Sequence, residues 1–255
     1  MINIVLCVKV VLSSIIYKDN NNIIDKYMLN PFDLYALEQI LEVKRTTECK
    51  ITCLCMGKEE IKDALVQCKA MGADDIILLS DQKFAGADTY ATVYVLAQAL
   101  RNLDFDIVVC GKQAVDGETG QVPYGLAARL NCICMEAISK IELLEKDRVI
   151  VTQQKDNIKR KLECKLPIVM TYDDCTLKSP KINLMALKRA EKYQMTILRT
   201  QDLNLDTDKV GQQGSKTKVY SSTRPEYRKA EPILLQDEMG EMISKIYDIL
   251  RIRKG

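Results

Sequence analysis

Apolar residues run almost unbroken from Ile2 to Val10, the pattern of a strand buried on both faces in a parallel sheet covered by helices. After a polar stretch at Asn20, Asn21 and Asn22, Asn30-Pro31-Phe32-Asp33 opens a helix: Asn30 can cap it, Pro31 suits the first helical position and Asp33 suits the positive end of its dipole. That helix is expected to reach about Arg45, with Leu34, Leu37, Ile40 and Leu41 on one face. Ile51 to Met56 reads as a strand, Gly57 as a turn, Glu59 to Met71 as a helix capped by Gly72, and Ile76 to Leu79 as a strand. Asp88 and Thr89 open a third helix reaching Leu100, Phe105 to Cys110 gives a fourth buried strand, and a glycine-bearing loop leads to a helix from about Gln121 to Leu130. The alternation predicts an α/β fold with a doubly wound, mainly parallel sheet.

Beyond Leu130 the pattern changes. Val149 to Gln154 and Ile158 to Cys164 flank the turn-prone Asp156-Asn157 and predict an antiparallel hairpin, with one more strand over Leu166 to Tyr172. From Asp173 the chain is basic and less periodic through Lys178, Lys181, Lys188, Arg189 and Lys192. Thr200 to Ala230 has little apolar periodicity, and Ile233 to Ile252 regains helical spacing through Leu234, Leu235, Met239, Met242, Ile243, Ile246 and Leu250. The expected organisation is an α/β domain over residues 1–198 and an extended C-terminal arm over 199–255 that ends in a helix. Such an arm either returns onto its own domain or docks on a partner subunit.

Composition narrows the chemistry. The 255 residues carry 37 Lys+Arg against 35 Asp+Glu, a net charge of +2, which argues against a nucleic-acid partner. With no histidine, Ser-His-Asp and Cys-His catalysis and every His-containing metal site are excluded. The ten cysteines mostly sit in apolar runs, where cysteine packs as a small hydrophobe in a reducing compartment. The Cys53/Cys55 and Cys132/Cys134 pairs are spaced more closely than the usual zinc knuckle, so core packing is expected and no metal site. The apolar N-terminus lacks a basic leader and is interrupted by Lys9, and no run is long enough to cross a bilayer. A cytoplasmic protein without membrane insertion is expected.

The most informative stretch is Gly111-Lys112-Gln113-Ala114-Val115-Asp116-Gly117-Glu118-Thr119-Gly120-Gln121, which leaves a buried strand and enters a helix. In a doubly wound sheet nucleotides bind outside the carboxyl ends of the strands, where helix N-termini offer free N–H groups to phosphate. Gly117 and Gly120 let the backbone come close; Thr119 and Gln121 add neutral donors. The stretch is neither a Walker loop nor a G-x-G-x-x-G fingerprint, and its spacing alone fits an ordinary strand-to-helix connection equally well. Cys7-Val8-Lys9, Met56-Gly57 and Asp88-Thr89 are expected on the same side, with Gly111 and Val122 at the two ends of the loop. Acidic pairs such as Asp74-Asp75 read as surface charge beside turns, and no catalytic dyad is evident.

Taken together, Val5-Leu6-Cys7-Val8-Lys9, Asn30-Pro31-Phe32-Asp33, Met71-Gly72-Ala73-Asp74, Gly111-Lys112-Gln113-Ala114-Val115-Asp116, Leu166-Pro167-Ile168-Val169 and Gly211 to Val219 resemble the β (small) subunit of the electron transfer flavoproteins, in order and over nearly the whole chain. The resemblance implies an adenine-nucleotide-binding α/β fold in a heterodimer with an FAD-carrying α subunit. It implies a nucleotide site at Cys7, Asn30, Pro31, Phe32, Asp33, Met56, Asp116, Gly117, Glu118, Thr119, Gly120, Gln121 and Tyr124. In one branch of the family that site holds structural AMP; in the electron-bifurcating branch it holds a second FAD that takes a hydride from NADH. AMP-holding members tend to carry a longer insertion before Thr-Gly-Gln, so the short Asp116 to Gln121 looks like the bifurcating type and FAD is expected, with AMP the alternative. Val122-Pro123-Tyr124, Gln153, and Gln213 and Lys216 within Gly211 to Thr217 depart from the usual pattern. The family's docking segment for acyl-CoA dehydrogenases maps onto Leu184 and Met185, and ferredoxin enters as a second acceptor if bifurcation occurs. A stand-alone adenine-nucleotide sensor is the competing class. On any of these readings the residues bind and tune, and none is a nucleophile or proton donor.

Overall fold

The computed structural model describes residues 1–13, 17–19, 22–24, 26–145, 147–173, 182–221, 223 and 239–252. In chain order the elements that build the nucleus are β1 (Ile2–Val8), β2 (Val10–Leu12), β3 (Tyr17–Asp19), β4 (Asn22–Ile24), β5 (Tyr27–Leu29), α1 (Pro31–Lys44), β6 (Cys49–Met56), α2 (Lys62–Met71), β7 (Asp75–Leu79), α3 (Thr89–Arg101), β8 (Ile107–Gly111) and α4 (Val122–Leu130). There follow β9 (Ile133–Leu144), β10 (Arg148–Lys155), β11 (Ile158–Lys165), β12 (Ile168–Tyr172), α5 (Leu184–Ala190), β13 (Thr196–Leu198), the single turn α6 (Gly211–Gly214) and α7 (Met239–Ile252).

Nine strands form one sheet in the order β11-β10-β9-β12-β8-β1-β6-β7-β13. Every neighbouring pair from β9 to β13 is parallel, and β10 and β11 extend the β9 edge as an antiparallel pair. The architecture is the expected α/β one. On the central strand Ile4, Leu6 and Val8 pack with Leu37, Ile40 and Leu65 of α1 and α2. Val5 and Cys7 face the other way, onto Val93 and Leu96 of α3 and Leu126 of α4. Coverage on both faces explains why β1, β8 and β12 read as unbroken apolar runs, each buried Leu or Ile contributing roughly 1.5–3 kcal/mol. Cys7, Cys49, Cys53, Cys55, Cys68 and Cys110 are buried free thiols in these layers, as the composition suggested.

From β1 the chain passes through α1 to β6 on one side, and after β7 and α3 it crosses to β8 on the other. The strand order therefore reverses between β1 and β8, and a crevice opens there at their carboxyl ends.

Three expectations need correction. The first strand stops at Val8 rather than Val10: the backbone turns out of the sheet at Lys9, and Val10–Leu12 pairs with Tyr27–Leu29 instead. The twelve-residue β9 was not expected, because its Glu, Ala, Leu and Lys favour helix locally while pairing to β10 and β12 overrides that preference. A bulge with Ala137 at φ 55° bends it. Residues 199–218, expected in the arm, belong to the sheet unit: the compact units divide into Met1–Lys218 and Val219–Gly255, and Leu203 and Val210 are buried with α3. In the second unit, described through α7, Met239, Ile243, Ile246 and Tyr247 are exposed at one-face helical spacing. The helical pattern expected over 233–238 lies outside the described residues.

Candidate functional site

A polar bracket at the start of α1 ties the strand ends together at this switch point. Asp33 is buried, and its carboxylate accepts the Lys9 N–H at 2.7 Å and the Gly111 N–H at 3.2 Å, joining the ends of β1 and β8 where they diverge. Burial outweighs these hydrogen bonds and pushes the carboxyl up to about 7. Gly111 is the residue this arrangement requires, because a Cβ there would lie 2.4 Å from Asp33 Oδ1 and 2.7 Å from the Phe32 carbonyl carbon. Asn30 is 1 % exposed. Its carboxamide does not cap α1, contrary to expectation: Nδ2 donates to the Gln113 carbonyl at 2.8 Å and Oδ1 accepts the Val115 N–H at 3.2 Å. Asn30 thus imitates a peptide unit and fixes the first half of the loop that follows β8.

The second half of that loop faces outward. Lys9 Nζ reaches Asp116 at 2.7 Å, so it is paired rather than free, with both side chains 47 % exposed. Partial burial raises the Asp116 carboxyl, but the Lys9 hydrogen bond and charge hold it below the ordinary range. Glu118 sits at φ 51° and donates its N–H to the Ala114 carbonyl; Gly120 sits at φ 60°. No protein acceptor among the described residues takes the N–H groups of Thr119, Gly120 or Gln121, which stand at the N-terminus of α4. A Cβ on Gly117 would meet nothing within 4 Å.

Met56 and Gly57 end β6 in the same rim, Gly57 donating to the Leu79 carbonyl at 3.0 Å. Cys7 and Cys110 are register partners, and the hydrogen bond between their thiols, with burial, pushes Cys110 up, so it stays a neutral thiol. Asp88 caps α3 through the Ala91 N–H at 2.9 Å, and the hydroxyls of Thr89 and Thr119 lie 3.3 Å apart. The other oxygen of Asp88 is occupied by the backbone of Lys216 and Thr217. Tyr124 donates its hydroxyl to Glu136, which also pairs with Lys155. The Glu136 hydrogen bond, then burial, push the phenol up to about 12.

The structure thus brings Cys7, Val8, Lys9, Asn30 to Asp33, Gly111 and the 116–122 loop to one crevice. Several contacts had no local signal: Ser215 and Thr217 on Asp88, Tyr124 and Lys155 on Glu136, and Asp173 on Lys112 at 2.6 Å. Asp74 is likewise no idle surface charge, since it accepts the Ile51 N–H and pairs with Lys44. Leu184 and Met185 open α5 on the surface, 66 % and 65 % exposed, under an Asn183 cap. A cavity of about 480 Å³ lies beside them, between the C-terminal ends of α1 and α2 and lined by Leu41, Met71 and Asn183, at the end of the sheet opposite the crevice.

Residues 24–196 match the family model described as the electron transfer flavoprotein domain. The chain belongs to the electron transfer flavoprotein family. It is 35 % identical over 208 residues to an electron transfer flavoprotein subunit beta of Thermoanaerobacterium thermosaccharolyticum, covering 81 % of this chain and 79 % of that one. It is 35 % identical over 223 residues to the subunit beta of Megasphaera elsdenii, covering 84 % and 82 %. A third relative, 30 % identical with 86 % of each chain covered, is the caffeyl-CoA reductase-Etf complex subunit CarD of Acetobacterium woodii. Within the electron transfer flavoproteins this chain is of the β-subunit type, and its role lies in electron transfer. No helix among the described residues is long and apolar enough to cross a membrane.

Proposed function

We propose that this chain is the β subunit of a heterodimeric electron transfer flavoprotein that holds FAD in the β1/β8 crevice and, with an FAD-carrying α subunit, passes electrons between NADH and an acyl-CoA dehydrogenase-type flavoenzyme, with ferredoxin as the second acceptor in bifurcation. The observation that carries the reading is the short loop from Asp116 to Gln121, whose unspent N–H groups at the start of α4 and open space above Gly117 suit a pyrophosphate and its ribose. That donor set is neutral, and the Lys9–Asp116 pair balances itself, so the chain contributes directed N–H groups more than net charge. Bound there, FAD supplies hydride acceptance and single-electron donation. The protein's share is to orient it: Asn30 and Asp33 hold the loop and strand ends, while Thr89, Thr119 and Tyr124 form the rim.

The partners follow from the same reading. The exposed Leu184 and Met185 suit docking on an apolar patch of the dehydrogenase, and the exposed face of α7 suits burial on the α subunit. Truncation before Pro232, which lies outside the described residues, is expected to abolish copurification with that subunit, and stoichiometric copurification of the truncated chain would overturn the docking. The nine described free cysteines fit a reducing, cytoplasmic setting. The family resemblance also supports a second reading, in which the crevice holds AMP and the α subunit carries the only FAD. The deciding experiment is to heat-release and count the nucleotides of the heterodimer. Two FAD and no AMP support the first reading, and one FAD with one AMP the second.

A further inference from the structure

Residues 211–217 cross the start of α3 as a strap, and the way they are fastened is unusually complete. Gly211, at φ 55°, and Gly214 each leave room only for hydrogen: a Cβ would come within 2.1 Å of Lys83 O in the first case and of the Lys209 carbonyl carbon in the second. Gln212 donates its N–H to the Ala85 carbonyl at 2.9 Å. Ser215 Oγ accepts the Asp88 N–H at 2.8 Å and donates to the Gly211 carbonyl at 2.8 Å. Asp88 Oδ2 then accepts three bonds from the far end of the strap: the N–H of Lys216 at 2.7 Å, the N–H of Thr217 at 2.9 Å and the Thr217 hydroxyl at 3.0 Å. Its other oxygen caps α3, and the next residue, Thr89, touches Thr119 of the loop. The sheet unit ends one residue after Thr217, at Lys218.

We propose that Asp88 is a positioning residue: it clasps the root of the C-terminal segment and couples that clasp, through Thr89 and Thr119, to nucleotide retention at the 116–121 loop. The inference rests on the nucleotide reading of the crevice. When the strap leaves, Oδ2 loses three donors, the carboxylate turns toward water, the first turn of α3 frays and the Thr119 side of the loop loses its support. Linkage makes the effect reciprocal, so a nucleotide on the loop makes strap release harder. A residue that only capped α3 would not make the strap respond to nucleotide.

Asp88→Asn isolates the clasp. Asparagine is a good helix cap, but a carboxamide has one oxygen, so it cannot accept from both Ala91 and the strap, and an NH₂ must face one set of donors. The test is hydrogen exchange by mass spectrometry on the full-length chain, expressed with its α subunit, with FAD and with AMP added in turn. In the wild type, nucleotide is expected to slow exchange in both 112–122 and 211–218. In Asp88→Asn, 211–218 exchanges faster, its response to nucleotide disappears, and nucleotide affinity falls roughly tenfold, within the range of coupling between linked sites. Thr217→Val, which deletes one strap bond and keeps the cap, gives the same pattern at smaller amplitude and replaces Asp88→Asn if that variant does not fold. Unchanged nucleotide affinity alongside a loosened strap overturns the coupling alone. A wild-type loop that neither nucleotide protects overturns the crevice reading, and the coupling with it.

Discussion

Asp33 and Asp88 stand at the starts of two helices and do the same mechanical job, each carboxylate joining backbone segments that are remote in sequence. Asp33 joins β1 to β8 in the interior, and Asp88 joins α3 to the strap nearer the surface. Their acidities diverge. For Asp33 desolvation exceeds the hydrogen bonds and the carboxyl rises to about 7; for Asp88 desolvation is again the largest single contribution, but the summed bonds from Ala91, Lys216 and Thr217 exceed it and bring the carboxyl to about 2. Deeper burial at Asp33 and the larger set of donors at Asp88 together separate them. The buried staple is electrostatically costly and has no water to take its place, which suits a rigid site. The outer clasp stabilises as an ion and can exchange its partners for water, which suits a releasable one.

The largest expected effect is the pH dependence of Asp33. Its contribution to stability is fully present below about pH 4 and is lost as pH rises to about 7, because the native state keeps a proton that the unfolded chain has released. The loss across that window is on the order of 4 kcal/mol. Asp88 has the opposite sign: its contribution holds above about pH 4 and is lost as pH falls toward about 2, so it adds no slope between pH 5 and 8. Urea midpoints at pH 5 and 8 should therefore fall with pH in the wild type and flatten in Asp33→Asn. An equal slope in both proteins would remove burial as the cause.

Next comes Gly111→Ala, which forces Asp33 and the Phe32 backbone to move and should cost about 3 kcal/mol. Its control is Gly117→Ala, with open space around it, expected to stay within about 0.5 kcal/mol. Comparable urea midpoints for the two variants would mean that α1 does not press on β8 as described. Asp88→Ala should cost about 1–2 kcal/mol through the lost cap and strap bonds, and should open the chain near residue 218 to limited proteolysis while leaving the sheet protected. Wild-type cleavage kinetics would argue that the strap stays in place without its clasp. Lys9→Ala should be the smallest, under about 1 kcal/mol, and should vanish in high salt because the pair with Asp116 is half exposed. A salt-independent loss would indicate that Lys9 acts through its packing instead.

How legible the molecule was depended on range. Pro31, Gly72 and Asp88 marked helix ends because capping acts within one turn, and β1, β8 and β12 announced themselves because strands covered on both faces have no polar side. The segment 133–144 hid because its residues favour helix until neighbouring strands supply partners. Asn30 was misread for a related reason: a cap and a loop anchor use the same carboxamide, and only the position of Gln113 and Val115 chooses between them.

By itself, the order of residues determined the alternation of strands and helices, the thiol-bearing core, the absence of histidine chemistry, and the loop text that marks the electron transfer flavoprotein family. The tertiary structure alone decided which polar groups meet: Asp33 with Lys9 and Gly111, Asn30 with the 113–115 backbone, Asp88 with the strap, and Tyr124 with Glu136. The reason is physical. Burying an apolar run needs only some covering surface, which periodicity can predict, whereas a buried polar atom needs a particular donor or acceptor at about 3 Å, and that partner is set by which strand ends the chain brings together at the switch point.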